Sequence, residues 1–507
     1  MNYRERRALF TRLTEAMERS DWPSAIALAD ALRGEEQLER RMFDAVLSAY
    51  IDGNDRERAA AAGREYAVRF PADGMSHFYL GRVAFLTDDW AAAERHFRAA
   101  LSDDGLTGWY RGAAESIYGT LCREEGRPAE ASAHYLASCR EKDLAHGKAT
   151  EYSNYLFNLH YRAQETPFLR RAAEGYGRLI AEDGREAYTH ERTPFADVRK
   201  LRIGYLSHDL RFHVVAFFLY ALLHDYDRGR FEVYAYTDCR EDGASRGFQA
   251  MVDVWRDVRG SSYAEIARLV HEDRIDILFE PGGHTAYNFL RALAHRPAPV
   301  QISGIGYFDT TGLSAVNYFL GDRYVDPAEN DASFVEQLVR LPKSHFCYMW
   351  HDAPGLPAPA PFLRKGYVTF GCFNNFAKVT DEMLRVWAAI LAAVPDSRLY
   401  LKAAVFNHEE GKRLALARLA AAGIDRGRLV LGRQEPIYLQ AYRDVDIALD
   451  TYPYPGGGTT CDALYMGVPV ISCYGQQHGT RFGYSLLMNL GHAELCAPTL
   501  AAYAAAA

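Results

Sequence analysis

The chain has no paired cysteines. Its eight cysteines, Cys122, Cys139, Cys239, Cys347, Cys372, Cys461, Cys473 and Cys496, are scattered, and none forms a C-x-x-C pair. In a chain of 507 residues that pattern argues against a disulfide framework and against a cysteine-rich zinc site. Reduced thiols and a cytoplasmic protein are expected. An apolar signal core is also missing, since the chain opens with the charged stretch Met1-Asn-Tyr-Arg-Glu-Arg-Arg7. No apolar run approaches the ~20 residues that a membrane span needs. The formal charge of −8 gives no global attraction to nucleic acid or anionic lipid. What is abundant is aromatic: 33 Tyr and 26 Phe, a supply suited to large cores. The length allows about three domains.

From the start to about Leu179 the pattern is helical, rich in Ala, Arg, Glu and Leu. Two segments superpose, with Gly81, Ala93, Phe97 and Ala100 recurring as Gly119, Ala131, Tyr135 and Ser138 at a constant offset of 38. Small residues let two helices approach, and the aromatic fills the groove between them. The spacing resembles the tetratricopeptide repeat of about 34 residues, with the extra residues placed in the turn Asp103 to Gly108. Asp21 to Asp30 is a more degenerate helix of the same kind. An irregular helical domain is the plainer alternative. Stacked helix pairs form a curved surface suited to a protein or peptide. A polar linker follows, Glu182 to Arg199.

Beyond Lys200 the pattern alternates strand and helix. Leu201 to Ser207, Phe231 to Tyr236, Arg274 to Phe279 and Val300 to Ile305 are expected strands, and Val214 to Leu223 an apolar helix. Ligands of such sheets sit beyond the carboxyl ends of the strands. His213 and His284 both fall in that zone, although a lone histidine there is more often structural. The loop between Gly306 and Gly312 carries Thr310 and Thr311, and serves equally as a connector or as a source of exposed amides.

A second α/β half repeats this order. Tyr367 to Gly371, Arg398 to Lys402 and Arg428 to Leu431 are expected strands, and Lys378 lies in the loop after the first. An apolar strand, Ile447 to Leu449, then runs into Tyr452-Pro-Tyr-Pro-Gly-Gly-Gly-Thr-Thr-Cys-Asp462. Glycines allow close backbone approach, and the first amides of the next helix offer an anion site suited to a diphosphate. Thr459 and Thr460 can donate to phosphate, and Asp462 can accept a ribose hydroxyl. A tight turn with a Thr N-cap accounts for the same residues. Across from such a loop, Lys378 would hold a leaving diphosphate; on its own it reads as a solvated surface charge.

Taken together and in order, these pieces resemble the bacterial O-linked N-acetylglucosamine transferases of glycosyltransferase family 41. The pieces are Leu201 to His213, Gly283-His-Thr-Ala286, Arg296-Pro-Ala-Pro-Val-Gln301, Thr310-Thr-Gly-Leu313, Phe373 to Lys378, Leu449 to Tyr454 and Gly457 to Pro469. The resemblance implies an α/β GT-B fold of two Rossmann-like lobes preceded by an all-α tetratricopeptide-like domain. The implied segments are 1–180 for the repeats, 181–200 for the linker, 201–350 for the first lobe and 366–507 for the second. It also implies inverting transfer of N-acetylglucosamine from UDP-GlcNAc to Ser or Thr of a protein, with no metal or other cofactor. By position, His213 matches the active-site histidine, a base or acceptor-orienting group, and Lys378 the lysine that neutralises the leaving diphosphate. His284, Gly306, Asn375, Arg433, Tyr438, Gly457, Gly458, Thr459, Thr460 and Asp462 are the implied nucleotide-sugar contacts. The acceptor would lie on the repeats and in the cleft, with no nucleic acid partner.

The sequence departs from the family's pattern in several places. The family's usual Gly-Tyr-Pro-Gly is Gly306-Tyr-Phe-Asp309 here, so Phe308 and Asp309 bear on which sugar fits. A usual histidine is Tyr438, which bears on the base, and Pro455 stands for a common asparagine. An asparagine ladder is not evident in the repeats. The alanine-rich end, Thr499 to Ala507, lacks the family's closing helices, so further chain is expected there. UDP-glucose or GDP-fucose as donor, a non-catalytic binding module with a vestigial nucleotide site, and transfer to Asn or to a small molecule remain open at this level.

Overall fold

The computed structural model describes all residues except 36–37, 191–198, 350–358 and 436–437. The packing divides the chain into two compact units, Met1–Glu151 with His408–Arg413, and Tyr152–Asn407 with Leu414–Ala507. Among the described residues no helix is long and apolar enough to cross a membrane.

The first unit is helical. Its helices are α1 (Tyr3–Glu18), α2 (Trp22–Arg33), α3 (Arg40–Asp52), α4 (Arg56–Arg69), α5 (Gly74–Leu86), α6 (Trp90–Leu101), α7 (Gly108–Glu124) and α8 (Pro128–Glu141). The start of α9 (Lys148–Leu159) also belongs to it. The repeated small residues do what their spacing suggests. A Cβ on Gly81 of α5 would lie 2.9 Å from the Phe97 ring of α6, and one on Gly119 of α7 would lie 3.2 Å from the Tyr135 ring of α8. Phe97 and Tyr135 are fully buried. The turn at residues 102–107 buries Leu106 but does not hold most of the extra length, which lies in α7, 17 residues long against 13 for α5. The degenerate segment at Asp21 is α2, with the Asp21 carboxylate accepting from the Ser24 amide as its N-cap.

The second unit begins in α9 and continues through α10 (Thr166–Leu179) into two parallel sheets. The first contains β1 (Leu201–Leu206), β2 (Phe231–Thr237), β3 (Val254–Asp257), β4 (Ile277–Glu280), β5 (Val300–Gly304), β6 (Tyr318–Asp322) and β7 (Gln337–Leu341). Their order is β3-β2-β1-β4-β5-β6-β7. The second contains β8 (Thr369–Cys372), β9 (Arg398–Lys402), β10 (Leu429–Gly432), β11 (Ile447–Leu449), β12 (Val470–Cys473) and β13 (Cys496–Ala497), in the order β10-β9-β8-β11-β12-β13. Each order reverses direction once, between β1 and β4 and between β8 and β11. Such switch points open a crevice at the carboxyl ends of the strands. Four of the loops singled out in the sequence, after β1, β4, β8 and β11, border these crevices, and a fifth, Gly306 to Gly312, follows β5, one strand further along the first sheet. The short strands β3, β6, β7 and β13 were not legible as strands.

An aromatic seam joins the lobes. Phe346 stacks on Phe218 at 4.4 Å and meets Phe482 at 5.0 Å, and Phe308 meets Phe482 at 5.8 Å. Buried polar pairs reinforce it: Ser485 Oγ donates to Asp322 at 2.7 Å, and His478 Nδ1 lies 2.8 Å from Asp326. Each buried carboxylate thus keeps a partner, as burial demands. The alanine-rich end forms a helix, Leu500–Ala506, capped by Thr499. Its Tyr503 is fully buried, donates to Asp450 O at 2.8 Å and accepts from Trp387 Nε1 at 3.3 Å.

Candidate active site

The glycine loop is built around Asp450, the first residue after β11. Its buried carboxylate accepts from the amides of Gly456 at 2.7 Å and Thr451 at 2.9 Å, from Ser472 Oγ at 2.8 Å and from Asn374 Nδ2 at 3.2 Å. Burial raises its pKa even so. Asn374 turns the other way with its carbonyl, which accepts from the Thr459 hydroxyl. Thr460 Oγ1 donates to Gly456 O at 2.9 Å, and Tyr442 donates to Thr459 O at 3.0 Å. The loop is thereby fixed before any ligand arrives. Gly457 is the N-cap of the helix Gly458–Tyr465, whose leading amides have no acceptor within the helix.

Lys378 stands at the same loop. Its Nζ donates to Pro455 O at 3.1 Å and lies 3.6 Å from the centroid of the Tyr454 ring. Burial lowers its pKa from 10.5 to about 8, with Asp450 and Cys372 opposing the shift. Among the described residues no carboxylate is hydrogen-bonded to this ammonium, which sits against the Pro455 carbonyl and the Tyr454 ring. A departing diphosphate would complete that arrangement.

The first lobe closes on this loop. A Cβ on Gly458 would lie 2.5 Å from Val214 Cγ2, and one on Gly457 would lie 3.4 Å from the Phe346 ring. At 458 a side chain would have to displace Val214, whereas a Cβ at 457 would make ordinary contact. Val214 begins the helix α11 (Val214–His224), which His213 caps. His213 Nδ1 lies 3.3 Å from the Val215 amide and 3.3 Å from Asp209 Oδ1. Burial lowers the His213 pKa below 6.5, against the pull of Asp209. Phe212 and Val214 flank it, 50% and 42% exposed.

The remaining expected contacts are distributed unevenly. Asp462, one turn into the glycine-loop helix, is buried. Its carboxylate accepts from the hydroxyls of Tyr348 and, at 2.6 Å, Tyr438. Burial raises its pKa to about 6 although both phenols donate to it. A ribose hydroxyl would have to share or displace those phenols. Gly306 donates to Pro281 O at 2.9 Å and has no room for a side chain, since a Cβ would lie 2.6 Å from that oxygen. Asn375 is exposed and caps a short turn through the Ala377 amide at 3.0 Å, so the buried, connected residue is its neighbour Asn374. Arg433 follows β10 at the sheet edge with its side chain exposed, and its carbonyl accepts from Lys402 Nζ.

His284 differs most from the sequence expectation. It is 1% exposed, its Nε2–H donates to Thr311 O at 2.9 Å, and its Nδ1 accepts from Ser153 Oγ at 2.9 Å. No ring nitrogen is left for a sugar. Burial holds the ring neutral, with a pKa near 3. Its effect is to tie α9 to the loop after β5. That loop is held shut by Glu336, which accepts from Thr310 Oγ1 at 2.5 Å and from the Thr311 amide at 2.8 Å. Phe308 is likewise buried, 4.8 Å from the His160 ring, and Asp309 lies 3.6 Å from His160.

Asp209, Asn374, Tyr348, Tyr454 and Asp450 were not assigned roles from the sequence. Asp450 carried a usable signal, being an acid placed directly after an apolar strand. Tyr348 carried none, because its partner is 114 residues away.

The sequence model of glycosyl transferase family 41 matches residues 174–352 and 362–507. The chain belongs to that family. Among curated relatives, the probable UDP-N-acetylglucosamine–peptide N-acetylglucosaminyltransferase SPINDLY of Oryza sativa subsp. japonica is 41% identical over 318 residues. That match covers 61% of this chain and 34% of that protein. SPINDLY of Arabidopsis thaliana is 42% identical over 309 residues, covering 59% of this chain and 34% of that protein. The chain thus spans about a third of the length of these relatives. A mutant of the Thermobaculum terrenum O-GlcNAc transferase superposes with a TM-score of 0.79 at 28% identity, over 100% of this chain and 90% of that one.

Proposed function

We propose that this family 41 chain is an inverting glycosyltransferase that moves N-acetylglucosamine from UDP-GlcNAc to Ser or Thr hydroxyls of a protein. The observation that carries this reading is the Lys378 ammonium, 3.1 Å from Pro455 O on the glycine loop. The start of the His213 helix packs against that same loop. The relatives' names support the donor and the peptide acceptor.

In this reading the diphosphate lies along the amides of Gly457, Gly458, Thr459 and Thr460, with Lys378 beside it. The acceptor hydroxyl approaches the opposite face of the anomeric carbon. As the new C–O bond forms, the bond to the diphosphate breaks and the hydroxyl proton must leave. His213 Nδ1 accepts from the Val215 amide and lies 3.3 Å from Asp209 Oδ1, so a proton shifted onto Nδ1 toward that carboxylate would release the cap. Nε2 is then the free base that takes the hydroxyl proton. Charge building on the diphosphate is met by the ammonium and the helix amides, so transfer is expected to persist in a chelator.

The test offers the protein UDP-GlcNAc, UDP-glucose and GDP-fucose, each labelled in the sugar, and follows UDP or GDP release and labelled protein. UDP-GlcNAc turnover that His213→Ala lowers far more than it weakens donor binding supports the reading. Folded protein inactive with every donor would favour a binding module. Preference for GDP-fucose would favour the alternative donor left open by Tyr438 in place of the family's usual histidine.

A further inference from the structure

A second histidine–carboxylate pair lies on the carboxyl rim of the first sheet, apart from the groups used above. His208 follows β1, Asp238 follows β2, and Tyr287 lies in the loop after β4. These three strands are neighbours, so their ends converge. His208 Nδ1 lies 2.7 Å from Asp238 Oδ1, and the Tyr287 ring stacks on the imidazole at 4.4 Å and 26°. A proton on Nδ1 goes to the carboxylate, which leaves Nε2 as an acceptor. Among the described residues nothing bonds to that nitrogen or to the Tyr287 hydroxyl.

Tyr287 is the unusual member. It is 67% exposed, and its backbone has a φ of +59°, a left-handed conformation that bulky residues avoid. Neither burial nor backbone preference accounts for a tyrosine there. Backbone held against preference clusters at ligand sites. His208 also lies close enough to His213 to disfavour its protonation. The pair shares the loop after β1 with His213, on the first lobe, whereas the diphosphate loop follows β11 on the second.

We infer that Tyr287 and His208 form an acceptor subsite, in which the tyrosine ring supports an extended polypeptide and His208 Nε2 accepts one of its N–H or O–H groups beside the target Ser or Thr. The inference rests on the transferase reading. Asp238 is a positioning residue, since it acts by fixing the tautomer.

The test uses the full chain, whichever of the three nucleotide sugars it turns over, and synthetic peptides of random sequence around a central Ser or Thr. Sugar transfer to peptide and release of nucleotide into water are measured side by side. Tyr287→Gly relieves the backbone and removes the ring, so it folds at least as well as the native chain. It and His208→Ala are expected to raise the peptide KM about tenfold, while nucleotide release stays within about twofold. Tyr287→Phe keeps the stack and restores the KM. An unchanged peptide KM in Tyr287→Gly, or nucleotide release falling in parallel, overturns the subsite alone. A native chain that releases no nucleotide from any donor overturns the transferase reading and the subsite with it.

Discussion

Replacing Lys378 by methionine separates stability from catalysis at one atom. The native site holds an ammonium whose pKa burial has lowered from 10.5 to about 8. At 1.36 kcal/mol per pKa unit, carrying that charge costs the folded chain roughly 3 kcal/mol at neutral pH. Methionine fills similar volume without charge. It gives up the bond to Pro455 O and the contact with the Tyr454 ring, which together offset roughly 1–2 kcal/mol. Lys378→Met is therefore expected to be more stable than the native chain at pH 7, by about 1–3 kcal/mol. Urea unfolding of both chains from pH 7 to pH 10.5 measures this. Between pH 8 and 10.5 the unfolded lysine still holds a proton that the folded one has released, so native stability rises with pH there. The penalty is fully present below the folded value and gone above the unfolded one, so the gap between the chains closes across that window. Turnover should fall by about two to three orders of magnitude in the variant. A variant clearly less stable than the native chain and near-normal in turnover would show that Lys378 is a structural anchor.

Three further outcomes follow from the same geometry. The pH profile of kcat/KM should rise to a plateau from below pH 6.5, because His213 must be neutral, and fall near pH 8 as Lys378 loses its proton; initial rates from pH 5 to 10 check both limbs. Asp450→Asn puts an amide hydrogen where four donors converge, so nucleotide affinity should fall and the chain should lose about 1–3 kcal/mol, read by calorimetry and urea unfolding. Gly81→Val drives a branched side chain into the fully buried Phe97 ring and should cost the repeat unit about 1–3 kcal/mol, read by hydrogen exchange in residues 74–101.

The sequence revealed what depends on local pattern. β1, β2 and β11 are apolar runs stopped by turn residues, and the loops after them are rich in glycine and polar groups, so the crevice-forming ends could be located. The repeat pairs were legible because Gly81, Ala93, Phe97 and Ala100 recur as Gly119, Ala131, Tyr135 and Ser138 at a constant offset of 38. What remained hidden depends on contacts across the fold. Asn374 and Asn375 look alike in sequence, yet only one turns inward to meet Asp450 and Thr459. Asp462 has the position of a ribose acceptor, but two phenols from distant segments already donate to it. His284 sits at a strand end as a ligand histidine would, yet Ser153 and Thr311 take both its nitrogens. The strands β6 and β7 are short, and parallel neighbours on the sheet, not their own residues, define them.

Calorimetric titration of UDP into the protein at pH 9, in two buffers of different ionisation heat, tests the diphosphate site most directly. Near that pH the free Lys378 is largely neutral, and a bound diphosphate favours its charged form, so binding should take up close to one proton per UDP. Lys378→Met should bind more weakly and take up none. Equal proton uptake by both chains, or tight UDP binding by the native chain with no uptake, would contradict the claim that this ammonium receives the diphosphate.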